Sequence, residues 1–245
     1  MIKALLTGHS RGLGAAIADA LLRRGIPLLA LARSGNPQRC STYPDLLREA
    51  SLDLSDTPSL EAWLNTPSLR DFLADAETAL LINNAGLLQP VGLVGEADAT
   101  AIARAVAVNV TAPLLLTNAF VAATRQSADR RVVHISSGAA RSPYAGWSVY
   151  CATKAALDHQ ARAMAAEHLP GLRVASLAPG VVDTGMQAEI RASSVEQFPQ
   201  KGRFEALKSS GQLTSPDKAA QRLVNYLLGP SFGDVVDGDL RHLPD

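Results

Sequence analysis

Short apolar runs alternate along the chain with longer stretches of helical periodicity. The apolar runs are Ile2–Leu6, Pro27–Ala32, Leu47–Leu52, Ala79–Ile82, Arg131–Ile135, Leu172–Leu177 and Asp234–Val236. The helical stretches are Gly14–Arg24, Pro58–Ala76, Ala97–Thr124, Val149–His168 and Pro216–Leu228. Runs that are apolar throughout, rather than at alternate positions, are typical of strands buried on both faces. The pattern therefore predicts an α/β fold with a doubly wound parallel sheet of about seven strands flanked by helices.

The spacing of these elements also bears on domain organisation. No linker rich in serine, glycine or proline divides the chain, and no internal repeat is present, so we expect a single domain over residues 1–245. One segment, 184–211, interrupts the alternation and is too long for an ordinary connection. Long loops in compact domains often carry function. We therefore predict that 184–211 is a substrate-binding lid.

Composition and charge narrow the class of protein. Hydrophobic residues make up 47% of the 245 residues, which excludes a disordered chain. Lys+Arg and Asp+Glu number 23 each, so neither nucleic acid nor an anionic membrane surface is an expected partner. Two cysteines are too few for a disulfide framework. We identified no signal peptide and no apolar run as long as a membrane span, and expect a cytoplasmic protein.

A glycine-rich turn follows the first predicted strand. Gly8, Gly12 and Gly14 lie in the run Thr7-Gly8-His9-Ser10-Arg11-Gly12-Leu13-Gly14, which opens directly into a helix. Glycines let the backbone approach a pyrophosphate, and a helix N-terminus offers free N–H groups to an anion. The position of the turn between strand and helix favours a dinucleotide site of the Rossmann type over simple close packing. For His9 we expect a backbone-turn or ribose contact rather than a catalytic role.

The end of the second predicted strand bears on which dinucleotide binds. Enzymes that use NAD usually place an acidic residue here, on the ribose 2′-hydroxyl. This chain has Arg33 at that point, and Arg11 lies in the glycine turn. Guanidinium groups bind phosphate through paired hydrogen bonds. The sequence therefore favours NADP over NAD.

Tyr150 and Lys154 are the clearest candidates for acid–base chemistry. Their spacing of four residues places both side chains on one face of a helix, one turn apart. A tyrosine ordinarily loses its proton near pH 10, and a neighbouring ammonium group lowers that pKa. We therefore expect Lys154 to lower the pKa of Tyr150 and make it a proton donor and acceptor for carbonyl and alcohol chemistry.

Taken together and in order, these motifs resemble the short-chain dehydrogenase/reductase family, essentially from end to end. The matching elements are Thr7-Gly8-x-x-x-Gly12-x-Gly14, Asp53-Leu54, Asn83-Asn84-Ala85-Gly86, Asn109, Ser137, Tyr150-x-x-x-Lys154 and Pro179-Gly180-x-x-x-Thr184. The run 136–147 also resembles the branch that contains benzil reductases and sepiapterin reductases.

The resemblance implies a role for each catalytic position. Tyr150 would donate a proton to the carbonyl oxygen, and Lys154 would lower its pKa and bind the nicotinamide ribose. Ser137 would stabilise the substrate oxygen; Ser136 competes for this role, but the interval of thirteen residues to Tyr150 favours Ser137. Asn109 would hold a water molecule that links the lysine to solvent, although it could equally be a helix kink.

The resemblance also implies the cofactor contacts, with Asp53 and Leu54 at the adenine, Val182 at the nicotinamide, and Thr184 at the nicotinamide or the pyrophosphate. Asn83 is instead expected to bridge strands, and His134 to pack in the core. The full set of predicted cofactor-binding residues is Gly8, Ser10, Arg11, Gly12, Leu13, Gly14, Arg33, Ser34, Asp53, Leu54, Asn84, Ala85, Gly86, Tyr150, Lys154, Pro179, Gly180, Val182 and Thr184. The five histidines have no metal-ligand spacing, and we expect no metal.

The expected substrate is a small carbonyl or alcohol compound. Tyr144, Trp147, Met186 and Phe198 predict an apolar, aromatic pocket wall suited to a conjugated carbonyl such as a diketone or a pterin side chain. Packing of the lid on the core would explain the same residues. Sepiapterin reductases also hold their substrate with an acidic residue, for which the candidates here are Asp183, Asp234 and Asp237.

Two functions of different classes fit these motifs. The first is an NADP-dependent oxidoreductase acting on carbonyl and alcohol groups, and the second is a non-catalytic, dinucleotide-sensing regulator on the same scaffold. Retention of all four catalytic positions favours the enzyme. The alanine-rich helices Ala97–Thr124 and Val149–His168, by resemblance, predict a homodimer or homotetramer.

Overall fold

The computed structural model describes residues 1–243, and within that range seven strands form one sheet. The strands are β1 (Ile2–Thr7), β2 (Leu28–Ala32), β3 (Leu47–Ser51), β4 (Thr78–Asn83), β5 (Asp129–Ile135), β6 (Leu172–Ala178) and β7 (Asp237–Asp239). Their order is β3-β2-β1-β4-β5-β6-β7, and every neighbouring pair is parallel. The predicted doubly wound parallel sheet is therefore confirmed.

Helices connect the strands and cover both faces of the sheet. They are α1 (Gly12–Leu22), α2 (Pro37–Thr42), α3 (Thr57–Leu64), α4 (Ser68–Leu73), α5 (Ala99–Val106), α6 (Ala112–Ala123), α7 (Ser148–Ala166), α8 (Gly185–Ala192), α9 (Lys201–Ser209) and α10 (Pro216–Leu228). Successive strand residues point to opposite faces. Leu6 accordingly packs with α1 and α10, whereas Leu5 packs with α3, α4, α6 and α7.

Two predicted elements have different bounds in the structure. The stretch Pro58–Ala76 divides into α3 and α4, because Pro67 has no N–H to continue the helix and the Thr66 hydroxyl accepts from the Ser68 amide at 3.4 Å. The seventh strand is Asp237–Asp239 rather than Asp234–Val236. Asp234 lies in a turn, its amide donating to the Ser231 carbonyl at 3.1 Å. Polar strand residues are not detectable from hydrophobicity.

The predicted helix Ala97–Thr124 consists of α5 and α6 joined by a π-helical turn, Ala107–Thr111. Taken as one helix, Ala99–Ala123 is long and apolar enough to cross a membrane, with a mean hydropathy of 1.7, which the sequence analysis missed. Such a helix is weak evidence for a membrane span, since 44% of the apolar window is buried inside the protein. Phe120, for example, is fully buried in the core beneath the sheet.

Candidate active site

The carboxyl ends of the central strands open into a cavity of about 570 Å³. It lies where the strand order reverses between β1 and β4, the position at which open α/β sheets bind ligands. All residues predicted to bind the cofactor line this cavity, as does Ser137. Asn109 is absent from the lining. The structure thus brings the predicted cofactor and catalytic residues together, with Asn109 behind the wall.

The glycine turn has the backbone geometry that its sequence predicts. Gly8 and Gly12 have φ of +74° and +58°, in the left-handed region that favours glycine. Gly14 packs closely against the turn, and a Cβ there would lie 2.0 Å from the Gly8 carbonyl oxygen. Helix α1 starts at Gly12, and no side chain caps its first turn. The turn therefore leaves a cradle of backbone N–H groups beside the cavity.

Asn84 holds this turn in place. Its Nδ2 donates to the carbonyl oxygens of Thr7 and Gly8 at 2.9 and 3.2 Å. The Thr7 hydroxyl accepts in return from the backbone amides of Asn84 and Ala85, both at 3.0 Å. Strands β1 and β4 are thereby tied together at the switch point. Asn83, in contrast, is buried, and its Nδ2 lies 3.1 Å from His134 Nδ1 on β5, in agreement with its expected role as a bridge between strands.

Two arginines mark the far end of the cavity. Arg11 and Arg33 are both exposed and line it, and among the described residues neither forms an ion pair. Asp53 lies nearby, and hydrogen bonds from Ser55 hold its pKa below the usual value, with a smaller contribution from the positive charge of Arg33. This end of the cavity therefore presents two free guanidinium groups.

Of the two contacts expected for His9, with the backbone turn or with the ribose, the structure favours the first. Its side chain is fully buried, does not line the cavity, and its Nε2 lies 2.7 Å from Glu49 Oε1 on β3. The cause is the register of the sheet, which places Glu49 beneath the turn. His9 therefore contributes to the turn from below rather than to the cavity.

Tyr150 lies in the first turn of α7 and is 6% exposed. Burial raises the pKa of Tyr150 to about 12, although a hydrogen bond with Ser137 opposes the shift. The phenolic oxygen also lies 3.9 Å from Met186 Sδ. The pKa of Tyr150 is therefore raised rather than lowered, because burial is the largest cause of the shift and Lys154 is not among its causes.

Lys154 lies one helical turn after Tyr150 and is 4% exposed. Its ammonium donates to the Ile135 carbonyl oxygen at 2.7 Å and lies 5.8 Å from the centroid of the Tyr150 ring. Burial lowers the pKa of Lys154 to about 8, and the negative charge of Asp158 opposes this shift. Both reactive groups thus sit in a site where water is largely excluded.

Asn109 occupies the π-helical turn between α5 and α6 and is fully buried. Its side-chain amide makes both backbone hydrogen bonds to Leu87, accepting at 2.7 Å and donating at 2.8 Å, and also donates to the Thr153 hydroxyl at 3.1 Å. Gly86 lies between Asn109 and Lys154. A Cβ added to Gly86 would be 3.4 Å from Lys154 Nζ and 3.5 Å from Asn109 Oδ1. Asn109 therefore coincides with a helix distortion, one of the two roles left open.

The two serines after β5 have different surroundings. Ser136 also borders the cavity, but it is buried and its hydroxyl donates to Asp158 Oδ1 at 2.6 Å. Ser137 lines the cavity, and its hydroxyl is close enough to Tyr150 to lower the pKa of the phenol. Asp158 also accepts from Ser176 at 2.7 Å and from Arg141 at 3.0 Å. Ser136 is thus committed to a structural cluster, which leaves Ser137 beside the tyrosine.

The turn after β6 forms the opposite wall. Gly180 has a φ of +82°, and Val182 forms a parallel bridge with Thr214. Thr184 precedes α8 and lies near the glycine turn, since a Cβ on Gly12 would be 3.4 Å from Thr184 Cγ2. The segments that carry the predicted pyrophosphate and nicotinamide contacts therefore face one another across the cavity.

Segment 184–211 contains α8 and α9 and packs on an aromatic cluster, which comprises Tyr144, Trp147, Phe198 and Phe204. The rings of Trp147 and Phe198 stack with centroids 4.4 Å apart and an interplanar angle of 5°. Tyr150 meets Trp147 edge-on at 5.6 Å. The cluster therefore connects segment 184–211 directly to the tyrosine.

Sequence reasoning missed several polar residues of the cavity wall. They are Arg104, Glu189, Arg203, Asp239 and Arg241. Arg241 lies against the turn after β6. A Cβ added to Gly180 in this turn would be 3.0 Å from Arg241 Cδ. These side chains come from segments that carry no motif, and only the fold brings them to the cavity.

The acidic candidates named from sequence lie elsewhere. Asp183 pairs with Lys208 at 2.6 Å, Asp237 pairs with Arg162, and neither they nor Asp234 line the cavity. Asp239 does line it, paired with Arg241 at 2.6 Å. The seventh strand begins at Asp237, three residues later than predicted, so Asp239 rather than Asp234 or Asp237 is the acid at its carboxyl end.

Comparison with known proteins gives a consistent picture. The family model for short chain dehydrogenases matches residues 3–194. The chain is 35% identical over 243 residues to a benzil reductase ((S)-benzoin forming) of Bacillus cereus, covering 95% of this chain and 97% of the relative. It is 36% identical over 243 residues to the sepiapterin reductase of Meriones unguiculatus, covering 93% of this chain and 92% of the relative.

A solved structure agrees. A short-chain dehydrogenase/reductase from Burkholderia vietnamiensis is 44% identical, with a TM-score of 0.72 and coverage of 99% of this chain and 98% of that one. The expected family and branch are thereby confirmed, and the protein is an oxidoreductase of the kind that acts on carbonyl and alcohol groups with a nicotinamide dinucleotide. The chain belongs to the short-chain dehydrogenase/reductase family.

Proposed function

We propose that the protein is an NADPH-dependent carbonyl reductase in which Tyr150 is the general acid and base. The observation that carries this proposal is the position of Ser137 and Tyr150 together on the wall of the cavity that also contains the glycine turn. A proton donor and a second hydroxyl group at one point are what a carbonyl oxygen requires as charge develops on it.

The preference for NADPH over NADH rests on charge. Gly8, Gly12 and Gly14 leave no side chain between backbone and ligand, which fits the pyrophosphate of either cofactor. Arg11 and Arg33 are exposed at the same end of the cavity and free of ion pairs within the described residues, so both can bind a 2′-phosphate. Asp53 is occupied by Ser55, through hydrogen bonds of 2.9 and 2.7 Å.

The mechanism follows from the protonation of the buried groups. NADPH, when bound, supplies a hydride to the carbonyl carbon. With a pKa of about 12, Tyr150 carries its proton at neutral pH and gives it to the developing alkoxide. Ser137 donates a hydrogen bond to the same oxygen. Lys154, also protonated near neutral pH, binds the cofactor ribose and stabilises the phenolate left behind.

Asn109 serves this site indirectly. It fixes the Leu87 backbone and the Thr153 hydroxyl, and Thr153 in turn donates to the Tyr150 carbonyl oxygen at 2.9 Å. We assign it as a positioning residue that holds the tyrosine-bearing helix against the end of β4, with the water-binding role of the family as an additional duty.

The substrate is proposed to be an aromatic or conjugated carbonyl compound. The aromatic cluster and Met186 give the tyrosine an apolar wall, and segment 184–211 acts as the lid of a single-domain protein. A benzil reductase among the relatives supports a diaryl diketone as first substrate to test. We further propose a cytoplasmic homodimer or homotetramer, with the exposed Val106 and Leu114 of the α5–α6 region in the interface.

The decisive experiment follows NADPH absorbance with benzil, other diketones, quinones, aldehydes and pterins, with NADH in parallel. We expect turnover of at least one diketone and a lower KM for NADPH than for NADH. Tyr150→Phe should abolish turnover and leave NADPH binding within about twofold, because only a hydroxyl group is removed. Tight NADPH binding with no turnover of any carbonyl would instead favour a dinucleotide-sensing regulator, and full activity in Tyr150→Phe would refute the mechanism.

A further inference from the structure

A closed ring of hydrogen bonds lies beneath the arginine end of the cavity. His9 Nε2 contacts Glu49 Oε1 at 2.7 Å, and both oxygens of Glu49 accept from the Asn36 amide, at 2.9 and 3.2 Å. Asn36 Oδ1 accepts from the Arg39 amide at 3.0 Å, and the Arg39 guanidinium donates to the His9 carbonyl oxygen at 3.3 Å. Four residues from three parts of the chain, namely the glycine turn, the start of α2 and β3, are thereby joined in one circuit.

The ring is shielded from water, and it contains charged side chains. His9 is fully buried and Arg39 is 7% exposed, with its guanidinium also paired to Asp19 on α1 at 2.7 Å. Because a carboxylate only accepts hydrogen bonds, the His9 Nε2 must carry the proton. Burial alone would raise the pKa of Glu49, but hydrogen bonds from the Asn36 amide, Cys40 and His9 outweigh it and keep the pKa below its usual value.

The ring also explains a glycine. A Cβ on Gly35 would lie 2.2 Å from Glu49 Oε2, so the carboxylate occupies the space that a side chain would need. The backbone between Arg33 and Asn36 therefore lies directly on Glu49. Arg33 is three residues before Asn36, and Arg11 is two residues after His9. Each end of the ring is thus attached to a loop that carries one of the two arginines.

We propose that the His9–Glu49 contact is a specificity-determining positioning device, which locks the two loops together so that Arg11 and Arg33 converge on one 2′-phosphate. The inference rests on the proposed use of NADPH. Arginine side chains lose considerable rotamer freedom when they bind, so their attachment points must be fixed for both to act on one phosphate. The pyrophosphate site, in contrast, is formed by the glycine turn, which Asn84 also holds through the carbonyl oxygens of Thr7 and Gly8, so we expect loss of the ring to affect it less.

A measurement can distinguish a positioning role of the ring from a purely structural one. If the ring only stabilised the fold, its loss would weaken the binding of NADPH and NADH equally. If it positions the arginines, its loss weakens NADPH binding selectively, because only NADPH carries the 2′-phosphate. The ratio of the two dissociation constants therefore separates the two cases.

The test compares wild type with Glu49→Ala, Glu49→Gln and, as matched control, Glu167→Ala at the exposed end of α7. Kd values for NADPH and NADH are measured by tryptophan fluorescence, and thermal melting confirms folding. We expect Glu49→Ala to raise the Kd for NADPH about tenfold and that for NADH less than about twofold. Glu49→Gln, which keeps the size and one acceptor, should fall in between and serves if the alanine variant does not fold.

Each outcome decides a different claim. A wild type that prefers NADPH, with the preference lost in the Glu49 variants and kept in Glu167→Ala, supports the proposal. A wild type that prefers NADPH, with an unchanged ratio in folded Glu49 variants, overturns the inference and leaves the proposed function intact. A wild type with no preference for NADPH overturns both the cofactor assignment and the inference.

Discussion

Replacing Lys154 with methionine should make the folded protein more stable at neutral pH. Lys154 is 4% exposed, and its surroundings offer the ammonium one backbone acceptor, the Ile135 carbonyl oxygen. A buried charge without full compensation is destabilising, whereas methionine fills the same volume without a charge. Sites that require such a group for catalysis often give up stability in exchange for function. The same variant should have no measurable turnover.

The size of the effect follows from the pKa. Burial lowers the pKa of Lys154 from 10.5 to about 8. One unit corresponds to about 1.4 kcal/mol, so keeping the ammonium charged in the folded state costs about 3 kcal/mol below pH 8. Between about pH 8 and pH 10.5 the unfolded chain binds more protons than the folded one. The stability of the wild type relative to the variant therefore rises with pH across this window.

Urea unfolding at about pH 7 and about pH 9.5 tests this reasoning. The advantage of Lys154→Met over wild type should shrink by about 2 kcal/mol between the two pH values. The control is Lys218→Met on the exposed side of α10, which should show no such change. A difference between Lys154→Met and wild type that does not vary with pH would refute the claim that a buried ammonium is responsible.

Three further predictions address the charge cluster, the arginines and the aromatic cluster. Asp158→Asn removes the carboxylate that raises the pKa of Lys154, so the alkaline limb of the pH–rate profile should move down by about one unit, whereas Ser136→Ala should leave it in place. Arg33→Ala should raise the KM for NADPH about tenfold without affecting NADH, and an equal loss for both would contradict the 2′-phosphate assignment. Phe198→Ala should lower the free energy of unfolding by about 3 kcal/mol and raise the KM for diketones, and an unchanged urea midpoint would contradict its packing on Trp147.

The parts of the site that lie at strand ends were predictable from sequence. Parallel strands end at the same edge of a sheet, so motifs that directly follow apolar runs must meet there. Gly8, Asn84, Ser137 and Gly180 each come within a few residues of such a run, and all four line one cavity. The positions of the motifs after the apolar runs were therefore enough to predict most residues of the site.

Contacts between distant segments were not predictable in this way. Glu49 and His9 are 40 residues apart, and no local pattern indicates that the register of β3 brings the carboxylate beneath the glycine turn. Arg241 and Asp239 reach the cavity because the polar strand β7 begins three residues later than hydrophobicity suggested. Such positions depend on packing between elements, which a single sequence does not report.

Tyr150 and Lys154 show most clearly how a property predicted from sequence can change in the fold. From their spacing, the ammonium should lower the pKa of the phenol. In the fold both groups are buried, and burial disfavours whichever form is charged, so the pKa of Tyr150 rises to about 12 while that of Lys154 falls to about 8. Near neutral pH both therefore keep their protons, and the site offers a phenol and an ammonium as donors. A phenol that carries its proton at neutral pH can give it to a carbonyl oxygen, which is the proton transfer that the proposed reduction needs.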